Sequence, residues 1–215
     1  TRELFSVSSQ HYAFVVNAFV SLLKRADMTR YELFLRETRT YEIIEDVKNF
    51  RSEIGVLFLN SYNRDVLTKM FDDNRLTYTS LFKARPHIFV SKSNPLAKHE
   101  VVSLEDLEDF PYLSYDQGIH NSFYYSEEIL SQIPHKKSIV VSDRATLFNL
   151  LIGLDGYTIA TGILNSNLNG DNIVSIPLDI DDEIDIVYLK HEKATLSKMG
   201  EKFLDNLVKE VTFDN

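Results

Sequence analysis

The chain contains no cysteine, so disulfides, thiolate nucleophiles and thiol-based redox chemistry are excluded, and the redox compartment cannot be read from it. It is short of positive charge: 23 lysines and arginines face 32 aspartates and glutamates, a net charge of −9. Duplex DNA is held largely by cations on phosphates, so this balance argues against nucleic-acid binding by the chain itself. Any role in gene control would need a separate basic domain. No apolar run approaches the roughly 20 residues that span a bilayer, and Thr1-Arg2-Glu3 leads straight into a strand without a signal-peptide pattern. No membrane association is expected. Thr1 stands where an initiator methionine would, which reads as a processed or truncated chain. No internal repeat, linker or low-complexity segment is present.

What remains is an ordinary globular composition, 44% hydrophobic and 26% charged over 215 residues, enough for one large domain or two small lobes. Leu4 to Val7 reads as a short buried strand, and Ser8-Ser9-Gln10 supplies helix-capping chemistry. Val15, Ala18, Phe19, Leu22 and Leu23 then recur at helical spacing. Tyr31 to Leu35 predicts a second strand, Tyr41, Ile44 and Val47 a second helix, and Ile54 to Leu59 a central strand covered on both faces. Val66, Leu67, Met70 and Phe71 mark a third helix, and Leu76 to Phe82 a further strand.

Residues 84–97 read as a crossover into a second lobe, with Ile88-Phe89-Val90 as its strand and Asn94-Pro95 as its stop. Beyond it, Ser103 to Leu107 predicts a helix start, Tyr112 to Tyr115 a strand, Phe123 to Ile133 a helix ended by Pro134, and Ser138 to Val141 a strand. Ser142-Asp143 caps an apolar helix ended by Gly153, and Tyr157 to Ala160 is a strand leading back into the first lobe. Asn169-Gly170 signals a hairpin, Ile173 to Ile176 and Ile184 to Leu189 are strands, and a closing helix begins at Ser197. Such alternation implies parallel sheets in an α/β protein. Two such lobes joined by two crossovers make a hinged receptor with its ligand in the cleft between them.

Catalytic patterns are weak. There is no G-x-S-x-G elbow, and His191-Glu192 lacks the second histidine of a zinc helix. The acidic run Asp179, Asp181, Asp182, Glu183, Asp185 lacks the glycine and glutamate of a calcium loop and reads as a solvated hairpin. His87, His99 and His120 are scattered. No enzyme activity, metal or cofactor is expected.

The chain resembles, over nearly its whole length, the effector-binding domain of LysR-type transcriptional regulators. The resemblance rests on Ser8-Ser9 before a long helix, Tyr31-Glu32-Leu33-Phe34-Leu35 before Glu37-Thr38, and Glu53-Ile54-Gly55-Val56. It continues with Ser93-Asn94-Pro95-Leu96-Ala97, Val102-Ser103-Leu104-Glu105-Asp106-Leu107, Pro111-Tyr112-Leu113, and the stretch from Val141-Ser142-Asp143 to Gly153-Leu154-Asp155-Gly156. It departs where Thr161-Gly162 stands in place of the family's usual proline, and where Asp155 adds a residue between two glycines.

The resemblance implies two Rossmann-like lobes joined by two crossovers, a type 2 periplasmic-binding-protein-like fold. Lobe one would take residues 1–87 and 162–215, and lobe two residues 88–161. It also implies a cytoplasmic homodimer or tetramer, in which the first helix packs against a partner's second lobe. DNA would be contacted only through an N-terminal winged helix-turn-helix absent from this chain.

The expected ligand is a small organic acid or amino acid, bound in the interlobe cleft. Ser8, Ser9 and Gln10 would offer hydroxyls and backbone N–H groups to an anion, or serve only as a cap. Thr38 aligns with a pocket threonine of the family, and equally suits a helix cap. Asn60 and Ser61 end the third strand as rim residues or as a plain turn. In the second lobe the polar loop with Gln117 and His120, the capping Ser142, Arg144 in the first turn, and Thr161 at the hinge complete the set. Arg144 offers a bidentate fork for a carboxylate, or is a solvated surface arginine. The alternative reading is a solute-binding receptor of a transport system.

Overall fold

The computed structural model describes residues 2–25, 29–163 and 171–214. The chain divides into two compact units, residues 1–82 with 185–215, and residues 83–184.

The first unit is built on a five-stranded sheet. In chain order its elements are β1 (Glu3–Ser9), α1 (Ala13–Arg25), β2 (Tyr31–Glu37), α2 (Thr40–Lys48), β3 (Ile54–Leu59), α3 (Arg64–Asp73) and β4 (Leu76–Ala84). Strand β1 pairs in parallel with both β2 and β3. All six residues of β3 are buried, as its unbroken apolar run demands of a strand covered on both faces. Helix α1 turns Phe14, Val15, Ala18, Phe19 and Leu22 inward. Helix α2 packs close to β3 because position 55 is glycine: a Cβ there would lie 2.9 Å from side-chain carbons of Ile43 and Val47.

In the second unit follow β5 (His87–Ser91), β6 (Tyr112–Tyr115), β7 (Ser138–Val141), α4 (Arg144–Gly153), β8 (Thr158–Ala160) and β9 (Ile173–Pro177). Strand β5 is flanked by β8 and β9, both antiparallel, and β6 pairs in parallel with β7. Leu113, Val141, Leu147, Leu151 and Ile173 form its core, with Phe89, Tyr115 and Phe148 packed around them. The turn after β5 is set by Asn94, whose Oδ1 accepts from the N–H of Leu96 at 2.8 Å and whose amide nitrogen donates to the carbonyl of Asp155 at 3.0 Å.

Three expectations change here. The chain stays in the second unit until Ile184, because β9 pairs with β5 along its length instead of crossing back at Thr161-Gly162. Gly162 has φ +82, and a Cβ there would meet the His87 ring at 2.5 Å, so it turns the chain tightly beside β5. Phe123 to Ile133 is not a helix. It begins with a single 3-10 turn (Phe123–Tyr125), and Leu130 at φ +64 cannot continue a right-handed helix. At Ser103 a reciprocal cap forms with Asp106, but only the 3-10 turn Glu105–Leu107 follows it. Asn169-Gly170 lies outside the described residues.

The first unit is completed by β10 (Ile184–His191) and α5 (Lys198–Asp214). β10 inserts antiparallel beside β3, giving the order β2-β1-β3-β10-β4. Only part of the five-stranded sheet is therefore parallel, since β10 arrives from the second unit and not through a helix crossover, and the β8-β5-β9 sheet is wholly antiparallel. It also carries the last residue of the acidic run inward. Asp185 is buried, 3.0 Å from the Arg64 guanidinium, and accepts a hydrogen bond from the Ser80 hydroxyl. Helix α5 seats against α1, where Asn17 and Ser21 donate to the carboxylate of Glu210. Phe203 is fully buried, with its ring 5.7 Å from those of both Phe5 and Phe19.

Truncating that ring leaves a large void in a packed core, and Phe203→Ala is expected to destabilise the first unit by about 3–5 kcal/mol. Urea denaturation followed by circular dichroism checks this; a loss below ~1 kcal/mol would contradict the assigned core.

Candidate functional site

In the first unit the carboxyl ends of β1, β2 and β3 lie on one edge, because the three strands run in parallel. Parallel α/β sheets place ligand-binding loops at this edge. Gln10, directly after β1, is buried, and its amide joins three elements. Its nitrogen donates to the Thr40 hydroxyl at 2.8 Å, at the start of α2. Its oxygen accepts from the Phe58 N–H in β3 at 3.1 Å and from the Tyr12 hydroxyl at 2.6 Å. The backbone adds a further tie, from the N–H of Thr38 to the carbonyl of Ser9 at 2.9 Å.

The sequence-selected residues divide on this edge. Ser8 is fully buried, and its hydroxyl is committed to the Asp46 carboxylate and the Ser52 hydroxyl, each at 2.7 Å. Ser9 donates to the carbonyl of Gln10 at 2.6 Å. Neither caps α1, which begins at Ala13. Thr38 is on the surface side, and its hydroxyl donates to the Glu42 carboxylate at 3.1 Å. Asn60 closes the β3–α3 turn: its Oδ1 accepts from the N–H groups of Tyr62 and Asn63, while its own N–H donates to Asn63 Oδ1. Ser61 beside it is exposed.

Helix α2 starts on this edge with Arg39 in extended backbone at its N-cap and no side-chain cap. The first N–H groups of a helix have no intrahelical acceptor and carry the positive end of its dipole. The Thr38 hydroxyl lies just before this end, and such a helix start is a chemistry that could receive a carboxylate. Sequence reasoning missed Thr40 as the buried partner of Gln10, although the pair Thr38 and Thr40 in Glu37-Thr38-Arg39-Thr40 offered two candidates.

In the second unit Asp143, and not Ser142, caps α4. Asp143 takes the extended N-cap conformation, and its carboxylate accepts from the N–H of Thr146 at 3.1 Å and its hydroxyl at 2.6 Å, while Ser142 is exposed. Arg144 occupies the first helical position, half-buried. The Gln117 amide donates to Glu127 at 2.9 Å, His120 lies edge-on to Tyr125, and the buried Thr161 hydroxyl accepts from the N–H of Ile163.

A buried polar group unremarked in the sequence lies beside these residues. Burial raises the Glu128 carboxyl well above its ordinary value, with the neighbouring Glu127 charge adding to the effect and the N–H of Tyr115 opposing it. The Tyr112 phenol is likewise pushed well up by burial and by the charge of Glu128, and burial pushes Tyr157 up to about 12. His135 stacks on Tyr112 with ring centroids 3.8 Å apart, and burial lowers its value.

Because the folded value of Glu128 is raised, its contribution to stability is full below the ordinary 4.5 and is lost as pH rises through the folded value. Glu128→Gln stays neutral throughout. It is expected to melt above wild type at pH 8, with the gap closing toward pH 4.5; thermal melts across this range check the sign, and a gap widening toward acid would contradict it.

The LysR substrate binding domain family matches residues 11–212. No curated protein sequence matches the chain. Among solved structures, the effector-binding domain of QuiR in complex with shikimate is similar at 16% identity and TM-score 0.63, covering 97% of each chain. The BenM effector-binding domain with benzoate is similar at 15% identity and TM-score 0.63, over 98% of this chain and 93% of that one. The reduced form of the OxyR regulatory domain from Pseudomonas aeruginosa is similar at 12% identity and TM-score 0.67, over 96% and 98%. These likenesses show the mixed α/β fold of the type 2 periplasmic-binding-protein kind, and the three structures named are effector-binding or regulatory domains. With the family match running over nearly its full length, the chain belongs to the LysR substrate binding domain family, the effector-sensing domain of LysR-type transcriptional regulators.

Proposed function

We propose that this domain senses a small carboxylate, an organic acid or amino acid, and that the carboxyl edge of the five-stranded sheet receives its carboxylate. The observation that carries this reading is the start of α2, which has no side-chain cap and lies next to the Thr38 hydroxyl. Two relatives were solved with shikimate and benzoate, and both of those molecules carry a carboxylate. An anion at this place gains the helix dipole and donors already fixed by the Gln10 ties.

The domain acts as a cytoplasmic homodimer or tetramer in this reading, without catalysis of its own. DNA contact belongs to a separate basic domain, in keeping with the net charge of −9 here. Effector binding shifts the regulator between states only to the extent that it favours one of them.

A thermal-shift screen of carboxylates and amino acids tests this. A ligand at 100 times its Kd stabilises the native state by about 2.7 kcal/mol, enough to move the midpoint by a few degrees. For the strongest hit, Thr38→Val is expected to weaken binding about tenfold or more, the loss of one hydrogen bond to a charged group. Unchanged affinity by titration calorimetry would remove Thr38 from the site, and a screen responding only to uncharged compounds would overturn the carboxylate reading.

A further inference from the structure

The second unit holds a cavity of about 480 Å³ beneath the irregular segment that replaces the expected helix. Every lining residue belongs to this unit; among them are Tyr112, Ser114, Asp116, Phe123, Glu128 and Ser131. The volume is of the size that small ligands occupy.

Glu128 is the anomaly in its wall. Its residue is 5% exposed, one carboxyl oxygen accepts from the N–H of Tyr115 at 3.0 Å, and the other is buried with no hydrogen-bond partner. Buried carboxyl oxygens without a partner are rare, since the missing bond costs the full desolvation of the group. No lysine or arginine is among the cavity's lining residues to neutralise Glu128. Its one basic residue, His135, is stacked on Tyr112 and biased toward neutral imidazole by burial. Tyr112, Tyr115 and Phe123 add aromatic surface, which attracts a cation to its faces.

We infer that this cavity is a binding site for a small primary amine, whose ammonium group pairs with Glu128 and whose apolar part lies against the aromatic wall. The charge, the hydrogen-bond donors and the shape of such a ligand match what the wall lacks. An anion would meet the Glu128 carboxyl with no lysine or arginine in the wall, so this site takes the opposite class of ligand from the edge of the first unit. The inference stands independently of the proposed carboxylate site.

The test is titration calorimetry of the whole chain with benzylamine, and with benzyl alcohol as its neutral counterpart. Saturable binding of one benzylamine is expected, with the alcohol at least tenfold weaker. Glu128→Gln keeps the shape of the side chain and an acceptor for the N–H of Tyr115, and is expected to weaken benzylamine binding at least tenfold. Ser138→Arg, at an exposed lining position on β7, places a cation at the cavity and is expected to do the same without altering the core. Thr38→Val, in the first unit, should leave benzylamine binding unchanged. Absent saturable binding, equal affinity for the alcohol, wild-type affinity in Ser138→Arg, or loss of binding in Thr38→Val would each overturn the inference.

Discussion

The side-chain amide of Gln10 is the constraint on which the candidate edge of the first unit depends. It is 1% exposed, and it fixes the end of β1 to the backbone of β3 and to the first residue of α2. An amide buried at this depth is stable only when its donors and acceptor are met, so the neighbours are held as firmly as the amide. The close seat of α2 on β3 at Gly55 gives the helix a fixed depth, and Gln10 then fixes where it starts. The backbone at the start of α2 is therefore held in place, which in the proposed site lowers the ordering cost of binding.

The two units treat buried charge differently. In the first, Asp46 receives the Ser8 hydroxyl and faces Arg51, and Asp185 faces Arg64, so each buried carboxylate has a donor or a cation beside it. In the second, Glu128 has one backbone donor, the charge of Glu127 nearby, and no lysine or arginine among the residues of its cavity. Paired carboxylates hold a structure together, whereas an unmet one calls for an explanation, which the proposed amine site supplies.

Much of the fold was legible because it follows from local pattern. Ile54 to Leu59 could only be a strand with both faces covered, and the spacing from Val15 to Leu23 only a helix with one apolar face. What the sequence hid depends on partners far along the chain. Ser8 looks like a cap until Asp46 and Ser52 are seen to take its hydroxyl. Asp185 looks like one more solvated acid until Arg64, far away in sequence, is found beside it. The helix expected over residues 123–133 is replaced by an irregular segment in which Leu130 takes a left-handed backbone and Glu128 accepts from the N–H of Tyr115, a partner that local pattern does not reveal. On the candidate edge, residue type was readable and orientation was not: Thr38 and Thr40 are equivalent on paper, yet only Thr40 is the buried partner of Gln10.

The most direct test of this account is amide hydrogen exchange of residues 38–43 in wild type and in Gln10→Leu. Loss of the buried amide is expected to cost about 1–3 kcal/mol locally and so to speed exchange at the start of α2 by about ten- to a hundredfold, with the amides of β5 and β9 unchanged. Equal exchange rates at the start of α2 in the two proteins would show that Gln10 does not hold this edge, and the account of a pre-formed site would fall with it.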